Sequence, residues 1–193
     1  MAISLSKGQK IDLTKGNAGL SKICVGLGWD TNKYDGGADF DLDASAFLLG
    51  ANDKVTKDED FVFYKAKLHP SGSVECGPDN QTGEGEGDDE HIDVDLSKVP
   101  AVYQKVAFVA TIYDAEARKQ NFGQVSNAYI RIVNTANEVE IMRYDLAEEF
   151  SIETAVIVAE LFREGSEWKF QTIGNGLKGG LMAVCSKFGI DAN

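Results

Sequence analysis

The sequence predicts a mainly β protein in which two β-sheets pack as a sandwich, with minor helices that include a C-terminal amphipathic helix. The 193 residues contain 20 glycines and 3 prolines, a ratio that indicates many tight turns. Short β-branched or apolar segments recur along the whole chain. Hydrophobic residues make up 43% of the chain, and no linker or low-complexity tract interrupts it. We therefore expect one domain over residues 1–193.

Nine segments have the composition of strands bounded by turn residues. They are residues 22–29, 40–49, 61–65, 73–76, 91–96, 105–113, 127–134, 139–146 and 167–173. Residues 134–137 read NTAN and predict a hairpin turn. Residues 153–163 fit a helix or a strand, and their β-branched run favours a strand. Apolar residues at three- and four-residue spacing predict a short amphipathic helix within residues 176–190.

The negative charge of the chain is concentrated in two segments. Residues 30–45 hold five aspartates and one lysine, and residues 79–95 hold eight acids and no lysine or arginine. These two segments account for the entire net charge of −12, because the rest of the chain has 18 acids and 18 bases. This distribution excludes a basic face for nucleic acid, so we expect no nucleic-acid partner.

The first acidic segment places three carboxylates on one side of a predicted strand. Asp39, Asp41 and Asp43 alternate with apolar residues, and positions i, i+2 and i+4 of a strand share a face. Neighbours on that face lie roughly 6.5 to 7 Å apart and repel each other by roughly 0.6 to 2.5 kcal/mol. Lys33 cannot neutralise all of them. The pattern fits either a solvated strand face or a cation site, and Asp30 is close enough in sequence to join it.

The second acidic segment, DNQTGEGEGDDE at residues 79–90, favours the cation site. It combines carboxylates, an amide oxygen and closely spaced glycines, which let a backbone fold tightly and turn its carbonyls inward. Calcium takes six to eight such oxygens, whereas magnesium keeps several waters and needs fewer protein ligands. We therefore predict Ca²⁺ as the bound ion. An EF-hand is excluded because a loop starting at Asp39 would have Ala44 and Gly50 where glycine and glutamate are needed.

Two other functions remain open from the residues alone. One is a Mg²⁺-dependent phosphoesterase, although the chain lacks the DxDx[TV] signature and known nucleophile motifs. His91, beside the acidic loop, is a candidate base, but a structural role is the more common one. The other is a calcium-bridged membrane or protein adaptor, which exposed apolar tips near the loops would support; Tyr34 is the nearby aromatic residue off the strands. We expect a non-catalytic protein.

Several longer motifs resemble the TerD family of tellurium-resistance and stress-response proteins. They are GLGWD at 26–30, DFDLDASAFLL at 39–49, DNQTGEGEGDDE at 79–90, IYDAEARKQNFGQVSNAYIRI at 112–132 and EWKFQTIGNGLKGGL at 167–181. The resemblance implies a calcium-binding, non-catalytic β-sandwich involved in tellurite resistance. It also implies a cytoplasmic protein that works peripherally at the inner membrane with other Ter-type proteins. The absence of a signal peptide, of a transmembrane segment and of paired cysteine motifs agrees with that location.

The resemblance also carries over a set of metal ligands. The implied ligands are Asp30, Asp39, Asp41, Asp43, Asp79, Asn80, Thr82, Gly83, Asp88, Asp89 and Glu90. One departure from the family pattern concerns the loop entry, where Pro78 stands in place of the glycine that usually precedes the Asp-Asn pair. Proline fixes φ and removes an N–H, which puts the geometry at Asp79 in question.

Overall fold

Two six-stranded sheets make up the structure, a computed structural model that describes residues 2–31, 37–85, 87–146 and 150–191. The first sheet contains, in spatial order, β1 (Ile3–Ser4), β10 (Val139–Asp145), β9 (Tyr129–Asn134), β3 (Lys22–Gly28), β7 (Glu90–Asp95) and β6 (Val74–Cys76). The second contains β2 (Lys10–Asp12), β12 (Glu167–Leu177), β11 (Ala155–Glu164), β8 (Lys105–Ile112), β4 (Leu42–Leu49) and β5 (Phe61–Val62). The predicted β-sandwich with minor helices is confirmed.

The helices of the described residues are few and short. They are α1 (Ala115–Arg118), α2 (Gly180–Phe188) and two 3₁₀ turns at Asp58–Asp60 and Phe122–Gln124. None of them is long and apolar enough to cross a membrane. The strand pairs are antiparallel except for β1 and β10, which run parallel.

A large hydrophobic core lies between the two sheets. Strand β4 shows how the pattern produces it, because Leu42, Ala46 and Leu48 are fully buried in this core. The intervening residues Phe47 and Leu49 face the other side of the second sheet and belong to a separate apolar cluster. Both faces of β4 are therefore covered, which is why its sequence reads as a nearly continuous apolar run.

Helix α2 covers the outer face of the second sheet. Its Val184, Cys185 and Phe188 are buried in the outer apolar cluster, and the Phe188 ring lies 4.8 Å from that of Phe47. The helix begins after Gly179 and ends at Gly189, both in the left-handed conformation that glycine adopts without strain. The amphipathic helix predicted within residues 176–190 is confirmed.

The strand predictions differ from the structure mainly at their ends. Strand β11 (Ala155–Glu164) takes up most of the segment 153–163, as its β-branched residues indicated, and the predicted hairpin turn lies between β9 and β10. Strand β4 begins at Leu42 instead of residue 40, and β5 ends at Val62 instead of residue 65. The short strands β1 and β2 were not predicted, because two or three residues carry too little periodicity.

The three cysteines are free thiols. Cys76 and Cys185 are buried, and Cys24 is partly buried. Burial is the main reason that the pKa values of Cys24 and Cys76 are raised to about 12, so these thiols stay protonated at neutral pH.

The contact between α2 and the second sheet predicts a large cost for truncating Phe188. We expect Phe188→Ala to lower the free energy of unfolding by about 3 to 5 kcal/mol, because it removes a buried aromatic ring. Met182→Ala, on the exposed side of the same helix, is the matched control and should change it by less than about 0.5 kcal/mol. Urea denaturation measures both; equal losses in the two variants would contradict the packing described.

Candidate metal centre

Three chain segments bring acidic side chains together at one end of the sandwich. Asp41 directly precedes β4, and Asp43 is the second residue of that strand. Asp79 lies in the loop between β6 and β7, and Glu90 opens β7. Strands β4 and β7 belong to opposite sheets, and the backbone N–H of Ala44 donates a hydrogen bond to Glu90 Oε2 across the sandwich. The site is therefore held by the packing of the two sheets.

Carboxylate oxygens of Asp41, Asp43 and Asp79 lie within 4.8 Å of one another. We call these three residues the carboxylate cluster. Asp41 and Asp43 are only 7% and 8% exposed, whereas Asp79 is exposed. Buried carboxylates at this separation are unfavourable unless a proton or a cation reduces their charge.

The pKa values of the carboxyl groups at this site are raised. Burial, followed by the charges of Asp41 and Asp79, raises the pKa of the Asp43 carboxyl to about 7. Burial also raises the pKa of Glu90 to about 8, with Asp43 and Asp79 adding to the effect and the hydrogen bond from Ala44 opposing it. Burial raises the pKa of Asp41 as well. Burial therefore disfavours the charged forms of these three carboxyl groups, and a bound cation would offset that penalty.

Arg118 supplies a positive charge beside the carboxylate cluster. Its Nη1 lies 3.7 Å from Asp41 Oδ2, and it also donates a hydrogen bond to the backbone carbonyl of Asp39. Arg118 was not among the predicted site residues, although it lies within the 112–132 motif that carries part of the family resemblance. One guanidinium on one carboxylate leaves the charges of Asp43 and Asp79 without a comparable ion pair among the described residues.

Asp39 does not join the carboxylate cluster. Asp39 lies three positions before β4, so the shared face expected for three aspartates holds only for Asp41, which directly precedes the strand, and Asp43, which lies on it. Its side chain is exposed, and its backbone carbonyl accepts hydrogen bonds from Gln120 and Arg118. Lys33, the one lysine of the first acidic segment, and Tyr34 lie outside the described residues.

A second group of predicted ligands surrounds the end of β3. Asp89 Oδ2 accepts a hydrogen bond from the backbone N–H of Trp29 at 2.9 Å, and Asp89 Oδ1 accepts one from Asn80 Nδ2 at 3.0 Å. Asp30 lies close enough to add to the raised pKa of Asp89, for which burial is the main cause. Asn127 Nδ2 donates to Asp30 Oδ2 at 2.8 Å. We call Asp30, Asn80 and Asp89 the loop group.

Asn80 organises the glycine-rich loop from within. Its Oδ1 accepts hydrogen bonds from the backbone N–H groups of Thr82 and Gly83, both at 3.1 Å. Gly83 has φ +72°, and a Cβ there would lie 2.4 Å from Trp29 Nε1, so this position requires glycine. In this arrangement Asn80, Thr82 and Gly83 shape the loop.

Asp88 is engaged in an ion pair away from the carboxylate cluster. Its Oδ1 accepts a hydrogen bond from Arg131 Nε at 2.7 Å and another from the Tyr129 hydroxyl at 3.1 Å. A Cβ at Gly26 would collide with the Asp88 carboxylate, so this glycine makes room for the pair. Asp88, Asp89 and Glu90 are consecutive in sequence, but each of them contacts a different set of partners.

The entry to the loop is anchored despite Pro78. The backbone N–H of Gly77 donates to the carbonyl of His91 at 2.9 Å, and Lys67 Nζ donates to the Gly77 carbonyl at 3.0 Å. A Cβ on Gly77 would meet the His91 ring at 2.4 Å. Gly77, one residue earlier than the family pattern, holds this entry, and Asp79 reaches the carboxylate cluster.

The fold and these side chains define a class: a two-sheet β-sandwich that carries convergent carboxylates from both sheets at one end. The TerD domain family model matches residues 1–188, and the chain belongs to this family. It is 60% identical to general stress protein 16U of Bacillus subtilis over 190 residues, which cover 98% of both chains. It is 51% identical to tellurium resistance protein TerD of Serratia marcescens over the full length of both.

Solved structures agree with the fold. A crystal structure of a homologue of telluride resistance protein (TerD) from Streptomyces coelicolor A3(2) superposes with a TM-score of 0.72 at 22% identity, covering 90% of this chain and all of that one. At this identity the similarity concerns the fold alone. The family resemblance found in the sequence motifs is confirmed.

The raised pKa of Asp43 predicts the pH dependence of stability in metal-free protein. Its folded-state pKa of about 7 lies above the ordinary value of 3.8, so the folded state retains a proton that the unfolded state has lost. This stabilising contribution is complete below the ordinary value and is lost as the pH rises through about 7. Asp43→Asn lacks this titration.

The measurement is urea denaturation in chelator at about pH 5 and about pH 8, with wild type and Asp43→Asn compared at each pH. We expect the stability of wild type relative to Asp43→Asn to fall between the two pH values. Asp93→Asn removes an exposed carboxylate outside the cluster and serves as the control. Parallel pH profiles for wild type and Asp43→Asn would show that Asp43 titrates normally.

Proposed function

We propose that this protein is a non-catalytic calcium-binding protein that acts in stress response and tellurite resistance. The observation that carries the proposal is the convergence of carboxylate oxygens of Asp41, Asp43 and Asp79, the first two of them buried, to within 4.8 Å of one another. Glu90, held beside them by its contact with Ala44, adds a fourth carboxylate within reach. A bound divalent cation would relieve the repulsion among these groups.

The chemistry of the donors supports calcium. The carboxylate cluster and Glu90 offer only oxygen, the donor that hard cations take, and no thiol or imidazole is among them. Asp79 lies in a glycine-rich loop that can adjust to the irregular geometry that calcium accepts, whereas magnesium demands near-octahedral sites. When bound, the ion would supply positive charge that joins the loop to β4.

The loop group would be a separate or weaker part of the calcium site. The two carboxylate oxygens of Asp89 already accept hydrogen bonds from Trp29 and Asn80, so a cation there would compete with existing partners. Among the described residues no donor forms a comparable hydrogen bond with Asp43, so this carboxylate would gain most from a cation. The carboxylate cluster is therefore the proposed primary site.

The positions of the histidines support a non-catalytic role. His69 is buried and lies 3.3 Å from Asp60 in a network that also includes Tyr103 and Ser71. His91 Nε2 lies 3.7 Å from Asp93, a residue outside the carboxylate cluster. Among the described residues neither imidazole pairs with Asp41, Asp43 or Asp79, although His91 lines a small cavity with Asp79 and Glu90. A metal-assisted hydrolase would need a proton acceptor in contact with the metal site.

The role in stress rests on the relatives. Proteins that match this chain over nearly their full lengths are named for general stress and for tellurium resistance. We propose the same setting here, with the protein in the cytoplasm, peripheral to the inner membrane and assembled with other Ter-type proteins.

The proposal predicts calcium-dependent stabilisation. Calcium added to chelator-stripped protein should release or absorb heat in calorimetry and raise the melting temperature, with magnesium giving a smaller rise. A ligand that binds only the folded state adds about 2.7 kcal/mol at a hundred times its Kd. For a chain of this size that corresponds to a rise of about 5 to 10 °C. The titration also counts the ions.

Variants assign the site. Asp43→Asn should abolish most of the calcium effect, whereas Asp89→Asn should retain more of it because Asp89 is already hydrogen-bonded. Asp93→Asn is the matched control and should leave the titration unchanged. Absence of heat and of added stability at millimolar calcium would end the proposal.

The biological role is tested by complementation. We expect a strain that lacks this protein to grow less well on tellurite, and wild-type protein to restore growth. Asp43→Asn should fail to restore it while accumulating to the same level, because it lacks a calcium ligand and keeps the fold. Equal rescue by both proteins would separate resistance from the carboxylate cluster. The growth assay and an immunoblot are the two measurements.

A further inference from the structure

A groove of about 610 Å³ opens on the outer face of the second sheet, beside the carboxylate cluster. It lies between the end of β8, the start of α1, the segment before β11 and the start of α2. We call it the outer groove, and its walls include Asp43, Tyr113, Glu116, Ile152 and Met182. Its volume is within the range of about 300 to 1,000 Å³ that binding pockets have.

Exposed apolar side chains gather at this groove. Seven large hydrophobic residues of the described chain are largely exposed, and three of them, Tyr113 at 47%, Ile152 at 53% and Met182 at 58%, line this one groove. Single exposed apolar residues are normal on a protein surface, but a cluster around a concavity marks an interaction site. Methionine adapts to different partner shapes, which suits a docking surface.

The walls of the groove stay in place because their ends are tied together. The Gly180 N–H at the start of α2 donates to Thr154 Oγ1 at 2.9 Å, which fixes the helix to the segment before β11. The Arg118 guanidinium lies 5.3 Å from the centre of the Tyr113 ring and also contacts Asp41. The Tyr113 wall is thus connected to the carboxylate cluster.

The charge of the groove indicates the chemistry of its occupant. Asp43, Asp114 and Glu116 line it, Lys178 is the one base among the lining residues, and Arg118, which contacts the Tyr113 wall, is already paired with Asp41. Complementary charge selects partners, whereas like charges placed together are strongly unfavourable. An anionic lipid surface would meet these carboxylates directly. A second copy of the chain, which has a net charge of −12, would be repelled as well.

We propose that the outer groove binds a segment of another protein that carries a lysine or arginine next to a large apolar side chain. The apolar side chain would pack against Tyr113, Ile152 and Met182. The basic group would lie against Asp43, Asp114 and Glu116. Together these contacts pair each feature of the groove with one feature of the segment.

Asp43 belongs to both the groove and the carboxylate cluster. A calcium ion on Asp43 would cancel part of the charge that attracts the basic segment, so calcium would weaken docking. This calcium dependence rests on the proposed function, whereas docking in metal-free protein does not.

The experiment uses the full chain labelled at its methionine methyl groups, in chelator. The probe is a capped six-residue peptide with lysine and arginine flanked by phenylalanine and leucine. Met182 reports on the groove, and the fully buried Met142 is the internal reference. We expect the probe to shift the Met182 methyl signal in NMR and leave Met142 unchanged. Peptides with glutamate in place of the bases, or glycine in place of the apolar residues, should give no comparable shift.

Matched variants test the two halves of the groove. Ile152→Ser and Glu116→Lys should each weaken peptide binding about tenfold, the size of loss expected at an important interface residue. The controls are Val139→Ser, with an exposure of 51% elsewhere on the surface, and Glu59→Lys, an exposed acid outside the groove. An unchanged Met142 signal shows that each variant is folded.

Several outcomes would overturn docking of a basic segment. They are no Met182 shift up to about 1 mM peptide, an equal shift with the acidic peptide, a shift produced instead by anionic phosphatidylglycerol vesicles, or one that appears on concentrating the protein alone.

Calcium should reduce the peptide affinity of wild type. If calorimetry shows bound calcium but the affinity stays the same, the coupling is wrong and docking stands. If calorimetry shows no calcium binding, the proposed function fails while the result in chelator remains valid.

Discussion

The mutual repulsion of buried carboxylates is the constraint around which this end of the molecule is built. Asp41 and Asp43 are both more than nine-tenths buried, and Asp79 joins them from a loop of the other sheet. A sandwich can hold such groups because its stability comes from the apolar core between the sheets and the smaller cluster beneath α2. The core fixes the positions of β4 and β7 relative to each other, and the unfavourable charges lie on these strands or on the chain segments next to them. A site of this kind can be tuned by a proton or by a cation, since each reduces the same repulsion.

The acidic loop shows how one charged sequence serves several purposes. Asp88 is neutralised by Arg131, Asp89 ties the loop to Trp29, and Glu90 accepts a hydrogen bond from β4. Only Glu90 lies on β7, whereas Asp88 and Asp89 belong to the loop before it, so strand alternation does not constrain all three and each reaches its own partners. A count of acids in a segment therefore overstates the number of available ligands. The net charge of the segment is a guide to the presence of a site, and the hydrogen-bond partners decide which groups can take part in it.

Much of the fold could be predicted because the strands are long and their composition is distinctive. The β-branched run in β11 and the three- and four-residue spacing in α2 are direct signals of local structure. Asp41 and Asp43 could be paired from strand alternation, but Asp39 could not be placed, because the point where β4 starts depends on tertiary contacts from Gln120 and Arg118. Arg118 itself lies some eighty positions away in sequence, so its approach to Asp41 is visible only after folding. The outer groove was equally hidden, since its walls come from segments that are far apart in the sequence.

Trp29 joins the two acidic segments through a single rigid side chain. Its indole N–H donates to the carbonyl of Phe40, just before β4, while Gly83 of the acidic loop packs directly against the same ring. Displacement of either segment must therefore move the ring, and through it the other segment. An indole in this position is a built-in optical probe: its emission should sense the arrangement of both segments at once. The second tryptophan, Trp168, lies in β12 beneath the guanidinium of Arg163 and provides a background signal from a different part of the sandwich.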